Sequence, residues 1–254
     1  MPMSVPVSLL IVMSQATFSL GCEDMSALIA GVEGYFEEGK LEVAISQAEM
    51  ALSCTNANNE ERITLYLELS RIHDRKGLHN NTRPVDATLS SIVSASELAD
   101  QADLAAQAAI NLAKARFYYR SENPDSDYPS SRAFARAALI LFEKLGDFHG
   151  QADIVHLTGL FHLQRQELDE AQAYFEHSLA LEIESGKVRP VMLADYERHM
   201  GFVYQLSGDL GQAIQNFERS FVIRRDSGLT DQAMFAATSL GRALISGDRA
   251  EEAE

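Results

Sequence analysis

The sequence predicts an all-α fold built from stacked antiparallel helix hairpins. Three observations predict it: landmark residues that recur at a fixed interval, apolar faces of helical period that recur with them, and glycine punctuation between them. Gly159 recurs as Gly201 and Gly241, Ala171 as Ala213 and Ala253, Phe175 as Phe217, and Ser178 as Ser220, with successive spacings of 42 and 40 residues. A period of this length marks units that bury their faces against their neighbours. Between Glu167 and Leu181, the residues Leu168, Ala171, Phe175, Ser178 and Leu179 share one helical face. Leu210, Ala213, Phe217, Ser220 and Phe221 repeat that face 42 residues later.

The punctuation follows the same rhythm. Gly208-Asp209 and Gly247-Asp248 fall between paired helices, while Gly146-Asp147, Ser185-Gly186 and Ser227-Gly228 close the units. Glycine supplies a left-handed turn and an acidic residue caps the helix that follows. Pro84, Pro129 and Pro190 stand at predicted helix starts, where a missing amide proton costs nothing.

Composition narrows the function classes. The chain has 254 residues, 46% of them apolar and 23% charged, which is globular composition with enough length for a sizeable core. Its net charge of −16 repels nucleic acid and anionic lipid. Two cysteines are too few for a disulfide scaffold or a four-thiolate zinc site. From Met1 to Cys22 there is no Asp, Glu, Lys, Arg or His, and an apolar run covers Val5 to Met13. Residues 1–22 therefore read as a signal peptide or lipoprotein-type export signal, and residues 23–254 as the helical repeat domain. Ser19-Leu20-Gly21-Cys22 resembles a bacterial lipoprotein cleavage box, which implies lipidation of Cys22 and a periplasmic or membrane-anchored location. Without that signal the chain would be cytoplasmic. With Cys22 consumed, Cys54 is expected to be a lone, buried, apolar thiol.

Counted from Ala194, the residues Gly201, Tyr204, Gly208, Ala213, Phe217 and Ser220 resemble the landmarks of the tetratricopeptide repeats. Counted from Ala152, Gly159, Phe161, Ala171, Phe175 and Ser178 do the same, with Gln166 in place of the turn glycine. The likeness is strongest over residues 148–254 and weakens where turns stretch, at His79 to Arg83 and Ser121 to Tyr128. It implies a right-handed superhelical solenoid of about five and a half helix pairs, of the long-period bacterial type. The unit ending at Glu254 is expected to need a capping partner or further chain.

Searches for chemistry give little. Gly34 to Leu41 imitates a phosphate loop, but Leu41 replaces the hydroxyl residue and the flanks are helical, so it reads as an interhelical turn. His156 and His162 are six residues apart, on different sides of a helix, and no metal ligand set emerges. No cofactor is implied, and the chain reads as non-catalytic.

The resemblance directs attention to the concave wall formed by the first helix of every unit. Its groove positions carry over as Arg71, Lys114, Leu160, Phe202 and Arg242, with Ile110, His156 and Arg198 a turn earlier and Phe117, Leu163, Gln205 and Ile245 a turn later. Four of these are cations in an acidic chain, which favours an acidic protein or peptide segment as partner. The expected function is a docking or sensing scaffold, with no nucleic-acid partner and with membrane contact only through a lipid at Cys22. The alternative is an N-terminal sensor module of a longer signalling enzyme, carrying a histidine kinase, diguanylate cyclase or caspase-like peptidase domain.

Overall fold

A computed structural model describes residues 22, 24–79, 86–100, 103–121 and 127–246. Eleven helices are present among them and no strand: α1 Met25–Glu37, α2 Leu41–Ser53, α3 Asn59–His79, α4 Asp86–Leu98, α5 Leu104–Ser121, α6 Pro129–Leu145, α7 Phe148–Gln164, α8 Leu168–Glu184, α9 Pro190–Ser207, α10 Leu210–Asp226 and α11 Thr230–Ser246. They form the hairpins α1/α2, α3/α4, α5/α6, α7/α8 and α9/α10, and α11 opens a sixth. The export segment 1–21, Pro84 and the Gly247-Asp248 turn lie outside the described residues.

The predicted punctuation is realised atom by atom. Gly146 and Gly208 end α6 and α9 in the left-handed region, at φ 65° and 90°. Asp147 and Asp209 then accept the Gly150 and Gln212 amide hydrogens, each at 3.0 Å. Pro129 and Pro190 sit in the first turns of α6 and α9. Gln166 replaces the turn glycine and takes its conformation, at φ 59°. The segment that imitates a phosphate loop is an interhelical turn, with Gly39 at φ 77° between α1 and α2.

The recurring residues lock each hairpin. A Cβ on Gly159 would lie 2.6 Å from the ring of Phe175, and one on Gly201 would lie 2.6 Å from Phe217. Both rings are fully buried, so each glycine exists to let a phenylalanine from the second helix lie against the first. Ser178 and Ser220 add a second contact: their hydroxyls donate to the carbonyls of Ala152 and Ala194, at 3.0 and 2.8 Å.

Successive first helices touch one another, α1 to α3, α3 to α5, α5 to α7, α7 to α9 and α9 to α11, while the second helices make no comparable contacts. The array therefore curves with its first helices inside. The curve is tight. Arg75 on α3 reaches Asp231 at the start of α11, with Nη1 to Oδ2 at 3.4 Å, and the Gly39 turn packs against the same aspartate.

One sequence expectation is corrected here. Cys54 is buried, as expected, but it is not a lone thiol: it forms a disulfide with Cys22 across 32 residues. Asn56 Nδ2 donates to the Cys22 carbonyl at 2.6 Å and holds the same segment against the end of α2. Lipidation of Cys22 needs the sulfur that this bond occupies, so the two states exclude one another.

Candidate functional site

The inner wall is a network of buried and half-buried charge. Arg120 on α5 donates to the Asp74 carboxylate on α3, and to the Asp74 carbonyl at 2.8 Å. Arg116 Nη2 on α5 pairs with Asp153 Oδ2 on α7 at 3.1 Å. Arg189, in the turn before α9, meets Asp153 Oδ1 at 3.0 Å and donates from Nε to Glu182 Oε1 at 2.8 Å. Glu182 is fully buried, accepts the Arg189 amide hydrogen at 3.0 Å and lies 3.1 Å from His149 Nδ1. Arg224 on α10 pairs with Asp195 on α9 and donates to the Ala194 carbonyl at 2.9 Å. The Arg120–Asp74 and Arg116–Asp153 pairs tie successive first helices together, and all of these pairs satisfy charges that burial would otherwise penalise.

The protonation equilibria follow the same balance. Burial alone would raise the Asp153 carboxyl, but Arg116 and Arg189 hold it below the usual carboxylate range. At Asp74 burial outweighs Arg120, Arg116 and Arg75, and its pKa is raised. Burial lowers the pKa of Arg198. Among the described residues, Arg198 has no carboxylate in hydrogen-bonding contact. It lies over the Phe202 ring at 5.0 Å and its buried Nε has no partner.

The twelve carried-over groove positions divide into three groups. Arg71, Phe117, Arg198 and Phe202 are at least partly exposed: Arg71 is paired with Glu68 at 2.6 Å and lies over Phe36, Phe117 packs against the Ile63, Ile92 and Ile110 cluster, and Phe202 meets Phe217 edge-to-face at 5.0 Å. Ile110, His156, Leu160 and Leu163 pack into the protein instead. Ile110 is 2% exposed, in a cluster with Ile63, Ile92 and Ala95, and Leu160 and Leu163 pack against Phe175, Met200 and Val203. Lys114 points elsewhere, over the ring of Phe134 on the second helix of its own pair. Gln205 is half-buried, while Arg242 and Ile245 are exposed on α11, Ile245 at 61%.

On α5 the side chains that reach neighbouring first helices are Arg116, to Asp153 on α7, and Arg120, to Asp74 on α3. Asp153 and Asp195 were also missed, although they recur at the same 42-residue spacing as the core landmarks.

A second feature crosses units. His156 Nε2 on α7 and His199 Nδ1 on α9 are 2.7 Å apart, and His156 Nδ1 is buried without a partner. Burial lowers the pKa of both, and the neighbouring Arg198 and Arg224 press His199 further down. Spacing within one helix had searched for histidine pairs three or four residues apart. This pair is 43 apart and is brought together by stacking alone. Among the described residues no group of three or more His, Cys, Asp or Glu could hold a metal ion.

The wall also opens into a cavity of about 280 Å³, reached between α3, α4, α5 and the start of α7. Leu67, Ile92, Ala113 and Phe117 supply its apolar surface.

No protein-family profile matches the chain, and no curated protein matches it in sequence. Among solved structures it is similar to PilW, described as a widely conserved type IV pilus biogenesis factor, with a TM-score of 0.52, 18% identity and 90% of each chain covered. The fold is an all-α solenoid of stacked helix hairpins, of tetratricopeptide-like architecture. At this identity the likeness to PilW is one of fold, and fold alone does not assign a function. Among the described residues no helix is long and apolar enough to cross a membrane.

Proposed function

We propose that this chain is a non-catalytic scaffold of the bacterial envelope that holds a protein segment against its inner wall. The observation that carries this reading is Arg198, a half-buried cation on a first helix with no carboxylate in hydrogen-bonding contact among the described residues. A partner's acidic side chain would supply the missing group through a charge-assisted hydrogen bond worth about 1.5–3 kcal/mol. Envelope location is favoured by the uncharged apolar segment 1–21 and by the Cys22–Cys54 disulfide, which persists in oxidising compartments. The fold of PilW, a type IV pilus biogenesis factor by its description, is compatible with the same role.

The test is capture from envelope extract with the immobilised protein. Arg198→Glu should lose the bound partner by tenfold or more while keeping its helical circular dichroism. Lys114→Glu, which lies off the wall, should retain the partner. Equal capture by both variants refutes the groove assignment.

A further inference from the structure

The cavity behind Arg71 differs from the rest of the wall in the sign of what it lacks. Its lining carries four carboxylates, Glu68, Asp74, Asp147 and Asp153, against three guanidiniums, Arg71, Arg116 and Arg189. All three guanidiniums are already paired with the protein's own acids. Among the described residues, two buried oxygens of the lining have no partner: Glu68 Oε2, whose other oxygen takes Arg71, and Thr88 Oγ1, on a residue 2% exposed. A buried acceptor left unmatched is costly, and a donor brought by a guest removes that cost. A cationic donor can reach for Glu68 Oε2 without breaking an existing pair.

At about 280 Å³ the cavity has ample room for a long side chain. Leu67, Ile92, Ala113 and Phe117 offer an apolar channel for an aliphatic stem, with the acceptors of Glu68 and Thr88 on the same lining. We infer that this cavity binds the side chain of a lysine presented by the partner segment, its methylenes against the apolar wall and its ammonium donating to Glu68. The inference rests on the inner wall being a binding surface, and it names a basic residue the guest must carry besides any acidic group at Arg198.

The probes are three blocked amino acids: Nα-acetyl-lysine N-methylamide, its Nε-acetylated form, and the norleucine equivalent, which keeps the stem without the charge. Each is titrated into isotope-labelled protein and followed by amide chemical shifts. The lysine compound should shift the amides around Thr88 and Ala113, and the other two should bind at least tenfold more weakly. Glu68→Gln should weaken the lysine compound by about tenfold, the fold-change expected for one hydrogen bond to a charged group. If Glu68→Gln fails to fold, Thr88→Val is the second variant, and it should weaken the same compound. Norleucine binding as tightly as lysine, lysine shifts confined to other surfaces, or binding unaffected by the folded variants overturns the assignment. Lysine binding retained when Arg198→Glu leaves partner capture unchanged would keep the cavity and remove the proposed scaffold function. The reverse pair of results would overturn the cavity assignment alone.

Discussion

Alanine substitution at the three recurring glycines separates the packing role of the motif from helix propensity. At Gly159 and Gly201 a new Cβ would sit 2.6 Å from a fully buried phenylalanine ring, whereas no described atom lies within 4 Å of the corresponding point on Gly241. In a helix interior, alanine is favoured over glycine by about 1 kcal/mol, and this gain is common to all three sites. Forcing a methyl into a close-packed core costs about 1–3 kcal/mol, and this loss applies only where the phenylalanine is present. Gly241→Ala should therefore stabilise by up to about 1 kcal/mol, while Gly159→Ala and Gly201→Ala should be neutral to destabilising by about 2 kcal/mol. The difference between the two classes isolates the packing cost, because the propensity contribution cancels. Stacked repeats can open unit by unit, so native-state hydrogen exchange of α7 to α11 is a better readout than a single melting temperature. Equal and like-signed shifts at all three glycines would refute the claim that the landmark serves the aromatic contact.

Three further outcomes are expected. Because burial holds His156 and His199 neutral in the fold, the unfolded chain binds more protons below its histidine pKa of about 6.5, and stability falls as pH drops from there. The groups facing the pair are Asp153, Asp195, Arg116, Arg189, Arg198 and Arg224. Two such imidazoles lose at most about 2.7 kcal/mol per pH unit until the folded values are reached. Urea unfolding between pH 7 and 5 should show this slope, and replacing both histidines by glutamine should flatten it; an unchanged slope would place the titration elsewhere. Reducing the Cys22–Cys54 bond, or making Cys54→Ser, opens a loop of 32 residues and should cost the first hairpin about 3–4 kcal/mol by loop entropy. Unaltered amide protection in α1 and α2 would contradict that contribution. Gln166→Gly relieves a side chain held at φ 59° and should raise stability by about 1 kcal/mol in chemical denaturation, whereas a loss would mean that the glutamine side chain contributes a contact of its own.

The legibility of the chain differs sharply between its two halves. From residue 148 onward the units keep nearly the same length, 42 then 40 residues, so Gly159, Phe175 and Ser178 predict the positions of Gly201, Phe217 and Ser220, and the helices fall where the pattern puts them. Before residue 148 the sequence lacks that ruler, because the segment 121–128 is longer than its counterparts, and the reach of Arg116 to Asp153 and of Arg120 to Asp74 was not legible. The pairing states of Arg71 and Arg198 were not legible: one is matched by Glu68 three residues away, and the other has, among the described residues, no carboxylate in hydrogen-bonding contact.

The sequence by itself determined the helical hairpins, their turns and the faces they bury, because those depend on residues within about one period of one another. Only the tertiary structure decided which charges cancel. Asp153 meets Arg116 and Arg189, Arg75 meets Asp231, and His156 meets His199 through the curvature of the stack. That curvature sums small rotations between successive hairpins, and no local pattern encodes the sum. The Cys22–Cys54 bond has the same origin, since it forms where the hairpin carries two distant sulfurs to one place.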